Sequence, residues 1–200
     1  MPRITGLFSA EANYIQTATS LQVSAEAGVE KLTYEQQPVG NIGLGATWLP
    51  GDKGTHYLNA YFRSEDQEVM TADAVLTQNN GRDSLEVNTT FEHFPLSLAN
   101  AFMPDQVVTF TGDIDGGLYI SGAMEKPKLS GDLSLDSVSV YARQAGARYW
   151  FDNRPLKIED NQLIFNKFAI YTTSRNPFTI DGNVDFRNME NPTAKLNLRA

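Results

Sequence analysis

Apolar and polar residues alternate with a period of two along most of the chain. From Val108 to Gly122 the even positions hold Val108, Phe110, Gly112, Ile114, Gly116, Leu118, Ile120 and Gly122. The odd positions are mostly Thr, Asp and Ser, with Tyr119 the exception. Such alternation predicts strands with one apolar and one wetted face. A three-residue turn at Asp115-Gly116-Gly117 would pair Ile114 with Leu118 and Phe110 with Gly122, all on one face. The phase then slips twice. Leu133 and Leu135 are followed by Val138 and Val140, and Leu163 and Phe165 by Phe168 and Ile170. Two-residue turns at Asp136-Ser137 and Asn166-Lys167 would reconcile both slips, placing Leu135 opposite Val138 and Phe165 opposite Phe168. Phe178, Ile180, Gly182, Val184 and Phe186 form another run, and Ala194, Leu196 and Leu198 follow Pro192. Consecutive hairpins that keep one apolar face predict an antiparallel meander.

The first hundred residues read similarly. Strands are expected at 21–25, 29–34, 42–48, 57–62, 69–76 and 85–91, with turns at Pro38–Asn41, Pro50–Gly54 and Gln78–Asp83. One short helix is expected, with Ser97 capping Leu98–Met103 and Pro104 stopping it. No stretch of ten residues has a helical period, which removes α/β folds and their nucleotide sites. A weak echo runs through Gly112-Asp-Ile114, Gly131-Asp-Leu133 and Gly182-Asn-Val184. Repetition of a strand-pair unit points to a sheet built by addition rather than a closed barrel.

Two hundred residues with 41% apolar content suit a single β-rich domain, neither disordered nor membrane-spanning by helix. The longest apolar run is the four residues Phe168 to Tyr171, where a spanning helix needs about twenty. No basic-then-apolar leader is read at the N-terminus. With no cysteine, disulfides, thiolate metal sites and thiol nucleophiles are excluded. The net charge is −8, a field that repels a phosphate backbone, so nucleic acid is not an expected partner. The acidic excess sits in residues 1–100, while Arg143, Arg148, Arg154 and Lys157 cluster in the second half. That cluster reads as a solvated face, with an anionic partner as the alternative.

Candidate chemistry is sparse. Paired carboxylates at Asp113/Asp115 and Glu159/Asp160 fall on the wet face or in turns, where acids are ordinary. Asp113-x-Asp115-Gly116-Gly117 has no glutamate to complete a calcium loop. His56 and His93, the only histidines, have no near-neighbour ligands in sequence. There is no Gly-x-Ser-x-Gly elbow, Walker loop or dinucleotide fingerprint. Neither an enzyme, a metal site nor a cofactor is expected. The consecutive Tyr149, Trp150 and Phe151 must face both sides of any strand, as an edge packed on a neighbour or as an apolar rim.

Several runs carry a resemblance. Phe94-Pro95-Leu96, Asn100-Ala101-Phe102-Met103, Phe110-Thr111-Gly112, Leu118 to Gly122 and Lys126-Pro127-Lys128-Leu129-Ser130-Gly131-Asp132-Leu133 belong to it, as do Tyr149, Asp160-Asn161-x-Leu163-Ile164-Phe165, Phe168 and Ile180 to Val184. Together they resemble the C-terminal domain of TamB-type translocation and assembly module proteins, well over 94–200 and only in general character over 1–93. The resemblance implies a fragment of a periplasmic envelope protein anchored in the inner membrane. It further implies a long U-shaped sheet that carries phospholipid toward the outer membrane and serves outer-membrane protein assembly. The missing anchor and a C-terminus on the strand-like Leu196-Asn197-Leu198 lead to the expectation of an excised piece. An outer-membrane barrel partner is implied for the full-length protein.

The physics of one-faced strands runs the same way. An apolar sheet face must be covered by another sheet, a helix or lipid, and no helix of adequate length is available. The expected fold is therefore all-β, an elongated, curled, taco-like antiparallel sheet with an apolar interior groove, at most one short helix and no double-sided core. The expected lipid-binding groove comprises Phe110, Ile114, Leu118, Ile120, Leu133, Leu135, Val138, Val140, Leu163, Phe165, Phe168, Ile170, Phe178, Ile180, Val184, Phe186, Leu196 and Leu198. Two rival readings are a strand-pairing scaffold for barrel assembly and an all-β hydrolase or carbohydrate-binding module. The last is poorly served by only two tryptophans, Trp48 and Trp150.

Overall fold

The structure is a computed structural model that describes residues 3–18, 20–79, 82–103, 107–172, 177–188 and 190–199. The strands are β1 (Ile4–Gln16), β2 (Leu21–Tyr34), β3 (Gln37–Pro50), β4 (Thr55–Ser64), β5 (Gln67–Asn79), β6 (Arg82–Pro95) and β7 (Val108–Ala123). They continue as β8 (Lys128–Ala142), β9 (Ala147–Phe151), β10 (Leu156–Glu159), β11 (Gln162–Tyr171), β12 (Phe178–Asp185) and β13 (Thr193–Arg199). The fold is all-β. The thirteen strands form one antiparallel sheet in the order β1-β2-β3-β4-β5-β6-β7-β8-β10-β11-β12-β13, and β9 pairs with β8 and β11. Two short 3-10 helices, Asp52–Gly54 and Leu96–Phe102, are the helical segments among the described residues. The expected helix therefore starts earlier than Leu98. Pro95 is its N-cap, and Ser97 lies inside it rather than capping it; Pro104 lies outside the described residues.

The chain packs as two units, Met1–Glu92 with Tyr119–Lys128, and His93–Leu118 with Leu129–Ala200. In the first unit β1 was not foreseen from the sequence, and 21–34 form one strand instead of two. The turn expected at Pro38–Asn41 is strand. The chain reverses instead at Glu35-Gln36, with φ of 49° and 69°, and again at Glu65-Asp66, with φ of 48° and 65°. Two left-handed residues between antiparallel strands are the signature of a type I′ turn, whose twist matches the strands it joins. The signals at Pro38–Asn41 serve the strand itself. Gly40 (φ 100°) lies against the Glu65 carboxylate, and Asn41 Oδ1 accepts the Lys31 amide at 2.9 Å. Of the turn expected at Gln78–Asp83, the flanking pairs Gln78↔Asp83 and Asn79↔Arg82 are ladder partners; residues 80–81 lie outside the described residues.

In the second unit all three expected hairpins are absent. Asp115-Gly116-Gly117 lies within β7, Asp136-Ser137 within β8 and Asn166-Lys167 within β11. The phase slips are left-handed residues inside continuous strands: φ is 51° at Ser137 and 47° at Lys167. At Lys167 the ladder shifts from Phe165↔Gly182 to Phe168↔Ile180, a bulge that inserts one residue and resets the alternation. Phe165 and Phe168 therefore share a face along one strand instead of pairing across two. The glycine echo has the same origin. Gly112, Gly131 and Gly182 take φ of 87°, 150° and 131°, and at each one a Cβ would press on the neighbouring strand's backbone.

Between β8 and β11 one strand position is split into β9 and β10. β10 pairs with Gly131–Leu133 of β8 and β9 with 139–142. The interruption is closed by the Asp152–Arg154 segment. The Asp152 amide donates to the Ala169 carbonyl at 2.9 Å, and the Arg154 guanidinium donates to Asp152 at 2.6 Å and to the Lys167 carbonyl. Few side chains are sealed from water. Among the described residues the buried apolar ones are Val69, Ala101, Val138, Ile158, Phe168 and Ala169, and no large side chain falls below 2% exposure.

Candidate functional site

Directly opposed residues on neighbouring strands share a face, so the register defines what each face presents. In the first unit one row reads Ala12↔Ala25↔Ala46↔Ala60↔Ala72↔Thr89 across β1 to β6. Two residues away on the same face runs Tyr14↔Val23↔Trp48↔Leu58↔Ala74↔Val87, and on the other side Ala10↔Ala27↔Leu44↔Phe62↔Met70↔Phe91. Small side chains thus form a floor between two bulkier rows, crossing the strands at right angles. At about 4.8 Å per strand the floor extends roughly 24 Å. The face is not covered: Phe8, Tyr14, Leu44 and Leu58 are exposed.

The reverse side is polar. Asn13, Ser24, Thr47, Asn59, Asp73 and Asn88 form one row, and Glu11, Glu26, Gly45, Tyr61, Thr71 and Thr90 form the next. The Asn59 amide donates to Asp73. Tyr61 crosses Gly45 to donate its hydroxyl to Glu26, which raises the phenol pKa. Leu7, Ile15 and the row Leu49↔Tyr57↔Val75 are apolar exceptions on this side. At one end of the apolar face a cavity of about 330 Å³ is lined by Trp48, His56, Leu58, Ala74, Leu76, Gln78, Leu85 and Met124. The His56 ring stacks on Trp48 at 5.6 Å.

The second unit repeats the division with larger side chains. Its apolar rows include Gly131↔Ile158↔Leu163↔Val184↔Ala194, Phe165↔Gly182↔Leu196 and Phe168↔Ile180↔Leu198. Phe151↔Ile170↔Phe178 and Val140↔Tyr149 extend it, and Leu133 lies opposite Leu156. The Phe168 ring meets Phe165 edge-on at 5.8 Å and Phe151 at 6.4 Å. Leu163, Phe165, Phe168, Ile170, Phe178, Ile180, Val184, Leu196 and Leu198 of the expected groove are thus assembled on one face. Val138 and Phe168 are buried, and Phe178, Leu196 and Leu198 are exposed. Phe110, Ile114, Leu118 and Ile120 are half-buried along β7 while Thr111 and Tyr119 are exposed, and Leu133, Leu135 and Val140 are half-buried along β8. Phe186 lies one residue beyond β12, its amide bonded to the Asn161 carbonyl at 3.0 Å. Trp150 is exposed and opposes Ser139 and Tyr171, on the side away from Tyr149 and Phe151.

The basic cluster has protein partners. Arg148 donates to Ser139 Oγ at 2.7 Å and lies over the Tyr141 ring, Arg154 holds Asp152, and Lys157 pairs with Glu159 at 3.2 Å. The alanine-floored face escaped sequence reasoning because its five alanines become neighbours only through register, 12 to 21 residues apart along the chain. No family model, curated protein or solved structure matches this chain.

Proposed function

We propose that this chain is a segment of a larger periplasm-spanning envelope protein that shields lipid acyl chains against an apolar sheet face during phospholipid transport toward the outer membrane. The observation that carries this reading is the uncovered apolar face, continuous in register across neighbouring strands and backed by a polar one. In water each buried methylene contributes about 0.8 kcal/mol, whereas transfer from a bilayer contributes nearly nothing, because both surroundings are apolar. Such a face takes up chains from a membrane without trapping them. The alanine floor supports an extended chain lying across the strands, since side chains there rise least and the flanking rows stand higher. Similarity in sequence rhythm to TamB-type proteins supports the same assignment. A reading as a strand-pairing scaffold draws on β1 and β13, each bonded to one neighbouring strand among the described residues and exposed along its length; such edges accept added strands.

Mass spectrometry of organic extracts of the purified chain tests the proposal. Phospholipid in near-stoichiometric amount is expected. Leu44→Arg or Leu58→Asp should leave a folded chain with little lipid, because the new charge on an open face stays hydrated at these exposed positions, whereas a closed core would unfold. A folded wild-type chain free of lipid would overturn the reading, as would a charged variant that carries lipid unchanged. A variant that unfolds would show a closed core and remove the open face.

A further inference from the structure

His93, Asp115 and Asp136 stand 21 or more residues apart in sequence, yet each offers a ligand atom and these atoms lie within 4.8 Å of one another. His93 Nδ1 is 3.4 Å from Asp115 Oδ1. Their placement comes from the backbone. His93 sits at a left-handed position (φ 49°), and its amide donates to the same Asp115 oxygen at 2.8 Å. Asp136 precedes the left-handed Ser137, whose hydroxyl donates to the Asp136 carboxylate at 3.0 Å. Two other left-handed strand residues are tied in the same way, Lys31 to Asn41 and Lys167 to Asp181. A lysine stands at the left-handed position in both, facing one amide or one carboxylate. Here an imidazole replaces the lysine and a second carboxylate joins it, so the site offers one ring nitrogen and two carboxylates.

We propose that His93, Asp115 and Asp136 form a surface site for a borderline divalent metal ion such as zinc. An imidazole with two carboxylates favours such an ion over calcium or magnesium, which prefer all-oxygen shells. Metal–ligand bonds of about 2.0–2.2 Å place ligand atoms roughly 3.3 Å apart, close to the separation already present between His93 and Asp115. The His93 side chain is 73% exposed, which leaves the remaining coordination positions to water. The ion would tie together the neighbouring strands β6, β7 and β8.

Titration of the untagged, chelator-treated chain with zinc sulfate by calorimetry tests this. One saturable site per chain is expected, with affinity for calcium chloride at least tenfold weaker. His93→Asn suits the left-handed backbone and removes the imidazole, and it should weaken zinc binding at least tenfold at an unchanged melting temperature. In the wild-type chain, NMR should show the His93 ring resonances moving with zinc while those of His56 stay in place. Absence of a saturable site, zinc affinity retained in His93→Asn, calcium bound as tightly as zinc, or zinc moving His56 instead would each overturn the proposal.

Discussion

Gly131 adopts φ 150°, and a Cβ there would collide with the Gly117 carbonyl oxygen. Gly131→Ala therefore has to displace backbone, and it should cost about 1–3 kcal/mol, as overpacking does, read as a lower midpoint in urea; an unchanged midpoint would show the strands are not that close. The Gly-Asp echo was visible in the sequence, but its cause was not, because the crowding carbonyl belongs to another strand. Charged residues act locally too. The Asp185 carboxyl is held at about 2 by hydrogen bonds from the Arg187 side chain and backbone. Burial pushes the Asp152 carboxyl up, but the Arg154 hydrogen bonds outweigh this and leave it below the usual range. A depressed carboxylate stabilises the fold above its unfolded value near 3.9 and ceases to do so as pH falls through its folded value. Melting temperature should thus fall between about pH 4 and pH 2, and less steeply in Asp185→Asn. Parallel pH profiles of the two proteins would contradict the assignment.

At the scale of elements, the strand type and much of the apolar faces were legible because alternation runs through most strands, and the turn at Pro50–Gly54 lies where it was expected, between β3 and β4, while the other turns were not legible. A bulge and a two-residue hairpin both slip the alternation by one, so Asp136-Ser137 and Asn166-Lys167 fit either. Only long-range pairing decides between them. The true turn at Glu35-Gln36 carries neither glycine nor proline, so it gave no signal, and the glycine five residues on misled. The left-handed Gln36 implies a direct test. Gln36→Gly relieves a strain of about 1–2 kcal/mol against about 0.5–1 kcal/mol of added chain entropy, so its melting temperature should rise slightly. Gln36→Val should lower it, since a β-branched side chain resists positive φ. If the two variants melt alike, the turn does not lie at Glu35-Gln36.

For the molecule as a whole, each of the two units presents an apolar sheet face backed by a polar one, and the lipid reading rests on that division. Much of the second unit's face followed from the alternation of Leu163 to Ile170 and Phe178 to Val184. The first unit's alanine floor did not, because a row across strands has no trace along the chain until register is fixed. The two tryptophans report the division. Trp48 stands in the row beside the alanine floor, and Trp150 points to the other side of its strand. The most direct measurement is fluorescence quenching by a phosphatidylcholine with a dibrominated acyl chain, read after incubation with its vesicles and their removal by sedimentation. In Trp150→Phe, where Trp48 is the sole emitter, the lipid reading predicts strong quenching; in Trp48→Phe, Trp150 should keep its emission. Unquenched Trp48, or equal quenching of both tryptophans, would contradict the claim that the apolar face holds acyl chains.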